Sequence, residues 1–223
     1  MNSIKDRISS ITAELPQSCT LVAVSKTKPT NDIMEAYASG QRDFGENKVQ
    51  ELAAKAEELP KDINWHMIGH LQRNKVKYIA PFIHLIHGVD TEKLLVEINK
   101  QGLKNGRTIN CLLQVHIAKE STKFGFSEAE IKTLIESTTL KEMSNIRIVG
   151  LMGMASNVND DSVVSEEFGS LEKLFHWMAG HSTTANVAAD VLSTGMSNDY
   201  PLALKKGSNM VRIGSAIFGP RNY

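Results

Sequence analysis

From Leu21 to Phe218 the sequence alternates short apolar runs with amphipathic stretches, and few folds accept that rhythm. The apolar runs are Leu21–Ser25, Asp43–Gly45, Asn64–Ile68, His84–Val89, Ile109–Ile117, Ile146–Met154, Val191–Ser193 and Met210–Phe218. Several are dense in β-branched residues and almost continuously apolar, as suits parallel strands covered on both faces. Between them, helices are expected over 30–39, 47–58, 71–79, 91–103, 127–137, 162–179 and 199–206, with an amphipathic helix over 3–15 placing Ile4, Ile8, Ile11 and Leu15 on one face. Thr30, Asn31 and Asp32 after Pro29 offer one helix cap, Ser127 with Glu130 a capping box, and Thr91 a third start. Eight strands interleaved with helices give an α/β fold, a (β/α)8 TIM-type barrel. A doubly wound open sheet stays possible, since counting strands does not show closure. A chain of 223 residues suits one such barrel, so a single domain over 1–223 is expected.

Lys+Arg and Asp+Glu number 25 each, so no whole-molecule field draws the chain to nucleic acid or an anionic membrane. Lys5, Asp6, Arg7 and Glu14 interrupt any signal-peptide core, and no apolar run nears the roughly 18 residues of a membrane span. Cys19 and Cys111 are too few for a disulfide framework. Reduced thiols and a cytoplasmic location follow.

In a barrel of this kind the chemistry sits at the C-terminal strand ends. Lys26 follows the buried-strand candidate directly. There it is either a solvated strand-end charge, with Lys28 as another, or an amine whose charged form burial disfavours and which condenses with aldehydes. Ser193, Thr194, Gly195 and Ser197, with Gly214 and Ser215 beside Arg212, form either two ordinary turns or an anion cup of hydroxyls and backbone N–H groups. Arg212 is either barrel-facing and paired or on a solvated face. His66 and His70 are four apart but lie on a strand and a turn, and no third ligand accompanies them, so no metal is expected. The Lys/Glu-rich stretch 48–61 reads as a solvated helix face.

The segments Ala23-Val24-Ser25-Lys26-Thr27-Lys28-Pro29, Phe44-Gly45-Glu46-Asn47 with Val49-Gln50-Glu51, Trp65 to Gln72 with Asn74-Lys75, Lys119 to Phe126, Gly195-Met196-Ser197, and Val211-Arg212-Ile213-Gly214 with Ile217-Phe218-Gly219 carry a further signal. Together, in this order, they resemble the pyridoxal phosphate homeostasis protein family. The resemblance implies a fold-type III PLP barrel similar to the N-terminal domain of alanine racemase. It implies pyridoxal 5′-phosphate (PLP) as cofactor, held by Lys26 as a Schiff base, with the phosphate on Ser197, Gly214, Ser215 and Thr194. It further implies that Arg212 faces the pyridine nitrogen, that Asn47 and His66 line the ring and that Met154 packs on it. Lys48, His116, Gly153 and Ser156 depart from the family's usual residues.

Two functions fit that resemblance: a carrier or buffer of PLP, and a PLP enzyme on amino acids such as a racemase. A two-base racemase needs an acid/base group on each face of the reacting carbon. Tyr37, Tyr78 and Tyr200 fall in or at helices, Tyr223 is terminal, and the last strand ends shortly before it, so no second catalytic domain is expected. The expectation is therefore a non-catalytic, monomeric PLP carrier whose partners are PLP-dependent apoenzymes or enzymes of vitamin B6 metabolism.

Overall fold

A computed structural model of the chain describes residues 3–118, 124–181 and 184–220. The segment Lys119–Lys123 of the family motif and Tyr223 lie outside the described residues. In chain order the elements are α1 (Ile4–Glu14), β1 (Thr20–Val24), α2 (Thr30–Ala38), β2 (Asp43–Glu46), α3 (Val49–Glu58), β3 (Asn64–Met67), α4 (Val76–Ile79), β4 (Leu85–Val89), α5 (Glu92–Lys104), β5 (Ile109–Val115), α6 (Glu128–Glu136), α7 (Thr138–Lys141), β6 (Ile146–Gly153), α8 (Asp161–His181), β7 (Val187–Ser193), α9 (Tyr200–Lys205), β8 (Met210–Ile213) and α10 (Ser215–Phe218). All eight strands run parallel, and β8 pairs back onto β1 through Leu21 with Val211 and Ala23 with Ile213. That pairing closes the barrel and excludes the open sheet. No helix among the described residues is long and apolar enough to cross a membrane.

Local chemistry starts the helices. Ser3 with Asp6 and Ser127 with Glu130 form reciprocal capping boxes on α1 and α6, and Thr91 Oγ1 accepts the Leu94 N–H at the start of α5. The expected polar cap on α2 is not used. Pro29, with φ −67° and ψ 159°, takes the cap position without a side-chain bond, and the Thr30 hydroxyl donates to Glu58 instead. The expected helix 71–79 is shorter: Arg73–Lys75 form a 3-10 turn ahead of α4. The run 210–218 divides into β8 and α10, because Ile217 and Phe218 bury one face of a helical turn as readily as a strand would.

Two apolar layers result. Val22, Leu85, Leu112, Val149, Met152 and Met210 fill the lumen, while Ile33, Leu52, Leu95, Ile98, Leu113 and Leu171 belong to the larger layer between strands and helices. On β6, Ile148 and Leu151 belong to the outer layer but Val149 and Met152 to the lumen. Strict alternation cannot give that pattern, so one residue is extra. The register shifts on both sides of β6 here: Cys111 and Leu112 pair with Ile148 and Gly150, and Val187 and Val191 pair with the same two residues. Gly150 carries the bulge at φ 153°, and a Cβ there would meet the Val191 carbonyl oxygen at 1.8 Å.

Since the obstruction is backbone, it cannot rotate away. Gly150→Ala is expected to cost about 3 kcal/mol or more in chemical denaturation. A loss below about 1 kcal/mol would mean the bulge is not needed to close the barrel.

Candidate functional site

The C-terminal strand ends enclose a cavity of about 460 Å³, within the range of small-ligand pockets. Its wall is built from Val24 at the end of β1 and Lys26 after it, Asn47 after β2, Ile68 after β3, Met154 to Asn157 after β6, Met196 to Asp199 after β7, Arg212 on β8, and Gly214 and Ser215 beyond it. Lys26, Asn47, Met154, Ser197, Arg212, Gly214 and Ser215, all expected from sequence, thus meet in one place. His66 and Thr194 stand behind that lining, fully buried. The Thr194 hydroxyl has no hydrogen-bond partner among the described residues.

Lys26 occupies the second position of a tight turn in which the Lys28 N–H donates to the Ser25 carbonyl. The third position, Thr27, has φ 64°, which a type II turn requires and a β-branched residue resists. Such a conformation costs on the order of 1–3 kcal/mol and persists only where neighbours enforce it. Here Glu51 Oε1 accepts the Thr27 N–H at 2.6 Å, and Lys55 Nζ donates to the Ser25 carbonyl at 2.8 Å. Lys55 also bonds Glu46 at 2.8 Å and Glu51 at 2.7 Å, and the Ser25 hydroxyl donates to Glu46 at 2.6 Å. Burial pushes the Glu46 carboxyl up against the opposing pull of Lys55 and Ser25. The solvated face expected over 48–61 is therefore corrected at Lys55. Its ammonium is buried because two carboxylates and a carbonyl satisfy it. Lys28 is likewise tied down, donating to the Phe218 and Pro220 carbonyls at 2.9 Å.

Across the cavity, the turn after β7 carries Ser197. Gly195 has φ 93°, and a Cβ there would meet Ala203 at 2.7 Å, so the chain packs flat against α9. Asp199 Oδ1 accepts the Met196 N–H, which holds this turn closed. Beside it, Gly214 precedes α10, and a Cβ would meet Val24 at 3.2 Å. Ser156 bonds Glu167 of α8 through its N–H and hydroxyl, both at 2.7 Å, and so fixes the wall after β6.

Arg212 faces the lumen. Its Nη1 donates to the Ser193 carbonyl at 2.9 Å and hydroxyl at 2.7 Å, and Nη2 donates to the Gly153 carbonyl, at the end of the bulged strand, at 3.1 Å. Burial pulls its pKa down to about 10, still cationic at neutral pH. From Ser193 a buried chain crosses the barrel: Ser193 Oγ to His87 Nδ1 at 3.1 Å, His87 Nε2 to His66 Nδ1 at 2.9 Å, and His66 Nε2 to Asp43 Oδ1 at 3.0 Å. A guanidinium only donates and a carboxylate only accepts. With both imidazoles neutral, every bond in the chain points from Arg212 to Asp43, and each ring carries its proton on Nε2. Burial, then the neighbouring His66, Arg212 and His84, hold the His87 imidazolium pKa well below the ordinary value. At Asp43 burial opposes ionisation, but the hydrogen bonds from His66 and Asn64, with positive charge on His66 and His84 whenever those rings are protonated, outweigh it and hold the carboxyl low.

Sequence reasoning named Glu46 at the end of the second strand and Glu51 within the family segments without giving either a role, and it did not single out Asp43, His87 or Lys55. A histidine inside the run Leu85-Ile86-His87-Gly88-Val89 is a polar residue at a lumen position, and that was the available signal. His70 stacks on Phe124 and bonds Asp90 rather than joining His66. Lys48 and His116 lie outside the cavity lining.

A family profile described as alanine racemase, N-terminal domain, matches residues 1–222. A pyridoxal phosphate homeostasis protein from Vibrio alginolyticus is 38% identical over all of this chain and all of its own. PipY of Synechococcus elongatus PCC7942, solved with PLP bound, is 34% identical with a TM-score of 0.87, over 97% of this chain and 100% of its own. Alanine racemase of Bartonella henselae shares the fold alone, at 17% identity and a TM-score of 0.74 over 98% of this chain and 58% of its own. The chain belongs to the alanine racemase N-terminal domain family, in the group of the pyridoxal phosphate homeostasis proteins.

Proposed function

We propose that this protein binds PLP covalently on Lys26 and carries or buffers it, without catalysing a reaction of its own. The observation that carries this reading is the placement of Lys26. A lysine on a strained, ion-clamped turn opens onto a cavity whose other side offers hydroxyls, backbone N–H groups and a fixed guanidinium. PLP supplies an aldehyde, with which an amine condenses to a carbon–nitrogen double bond and one water.

The donor set suits a phosphorylated aldehyde. Ser197, Gly214 and Ser215 hold the phosphate, aided by the Ser215 and Ala216 N–H groups that open α10. Among the described residues of the lining the one carboxylate, Asp199, is engaged by the Met196 N–H. Asn47 and Met154 flank the ring. Thr194 and His66 act from behind the lining, His66 through the chain to Arg212.

Two features favour a carrier over an amino-acid enzyme. Among the described residues lining the cavity, Lys26, Asp199 and Arg212 are the ionisable ones, and no tyrosine, histidine or cysteine stands opposite Lys26 as a second acid/base group. Arg212 is a donor that keeps its proton, and a cation held at the ring nitrogen disfavours protonation there, which weakens carbanion stabilisation. The protein then works as a cytoplasmic monomer that passes PLP to apoenzymes or to enzymes of B6 metabolism.

Lys26→Ala is expected to keep the barrel's circular dichroism and melting profile, lose the covalent absorbance band, and bind PLP at least about tenfold more weakly, roughly 1.4 kcal/mol. Retention of the band in this variant contradicts the assignment. Turnover of any amino acid that vanishes with Lys26→Ala would replace the carrier by an enzyme. Glu46→Ala removes one of the two carboxylates on the buried Lys55 ammonium and the acceptor of the Ser25 hydroxyl, and is expected to cost about 1–3 kcal/mol and slow PLP capture. Capture at the wild-type rate in the folded variant would remove the clamp from the account.

A further inference from the structure

At the opposite end of the barrel, Asp43 opens β2 and His84 immediately precedes β4, and His66, within β3, reaches Asp43 from the lumen. One ligand atom from each lies within 4.8 Å of the others. His66 is fully buried, the Asp43 side chain is 24% exposed, and His84 is exposed, so the cluster is closed from below and open to solvent on one side. Two imidazoles and a carboxylate are the ligand types of a zinc-class ion, with a fourth position left for water.

The deepest residue is already built as a ligand with a supporting shell. Metal-ligating histidines commonly fix their second nitrogen by a hydrogen bond, and His66 Nδ1 lies 2.9 Å from His87 Nε2. The Nε2 to Asp43 Oδ1 separation is 3.0 Å. An ion replacing that shared proton needs about 3.3 Å for tetrahedral bonds of roughly 2 Å, a small opening. His84 sits outside the strand, so its ring can swing the remaining distance. Arg107, held by the Ala80 and Ile83 carbonyls, is the charge opposing a cation here, and Asp43 offsets it.

We propose that Asp43, His66 and His84 bind a divalent transition-metal ion such as Zn²⁺, and that this binding reverses the hydrogen-bond chain that ends on Arg212. A metal on His66 Nε2 leaves that ring's single proton on Nδ1, where it donates to His87 Nε2. His87 then carries its own proton on Nδ1 and donates to Ser193 Oγ. Each imidazole keeps one proton, no electron moves, and Ser193 Oγ accepts from both His87 and Arg212 while its own hydrogen leaves the chain. The metal state of one barrel mouth thereby changes the hydrogen bonding of the residue that lines the other.

The test uses the full chain and Co²⁺ as a spectroscopic probe. Tetrahedral visible absorption that saturates at one equivalent and is displaced by Zn²⁺ is expected. His84→Ala, a change at an exposed side chain, and separately Asp43→Asn, should each weaken Co²⁺ binding at least tenfold. In two-bond ¹⁵N–¹H spectra, Zn²⁺ should move the His87 proton from Nε2 to Nδ1, which a casually bound surface ion would not do. Absence of the Co²⁺ band, wild-type affinity in both variants, or an unchanged His87 tautomer in metal-loaded protein overturns the proposal. Neither readout involves Lys26 or PLP.

Discussion

A guanidinium buried in the lumen of a parallel barrel must be neutralised by its surroundings, and much of this molecule is arranged to do so around Arg212. Leaving such a charge unpaired costs several kcal/mol. Two carbonyls and a hydroxyl take its N–H groups, and the dipoles of Ser193, His87 and His66 lead to the Asp43 carboxylate at the far mouth. The β6 bulge at Gly150 belongs to the same arrangement, because it sets the register in which the Gly153 carbonyl meets Nη2 and Met154 reaches the cavity. This polar chain also ties β2, β3, β4, β7 and β8 together inside an otherwise apolar lumen.

Lys26 rests on a second buried network that shares no residue with the first. Glu51 and Lys55 grip the backbone on both sides of the lysine, at Thr27 and Ser25, while Glu46 holds the Ser25 hydroxyl and the Lys55 ammonium. The Gly-Glu-Asn and Val-Gln-Glu segments thus divide their work: Asn47 lines the cavity, and the two glutamates hold the turn. A turn imposed on a β-branched residue fixes the backbone at Lys26, where that residue meets the cavity, more firmly than a relaxed loop would.

The architecture was legible because strands covered on both faces must be apolar, and helices between them must be amphipathic. Boundaries failed where that rule is silent. The start of β7 carries Ala188, Ala189 and exposed Asp190 and gives no apolar run, while Met210–Phe218 gives one run for two elements. At the site, the residues directly after strand ends that line the cavity were marked by position alone, and only the resemblance gave them roles. Lys55, Asp43 and His87 were not, since each matters through a partner far away in sequence: Ser25 for Lys55, His66 for Asp43, Ser193 for His87. Charge type and periodicity do not encode such pairings.

The most direct measurement is borohydride reduction of the purified, PLP-incubated protein, followed by digestion and mass spectrometry. Reduction fixes any lysine–aldehyde linkage as a stable pyridoxyl group and names the residue that bears it. The label is expected on the peptide containing Lys26. An unmodified protein, or a label on a different lysine, would contradict the claim that this turn exists to hold PLP.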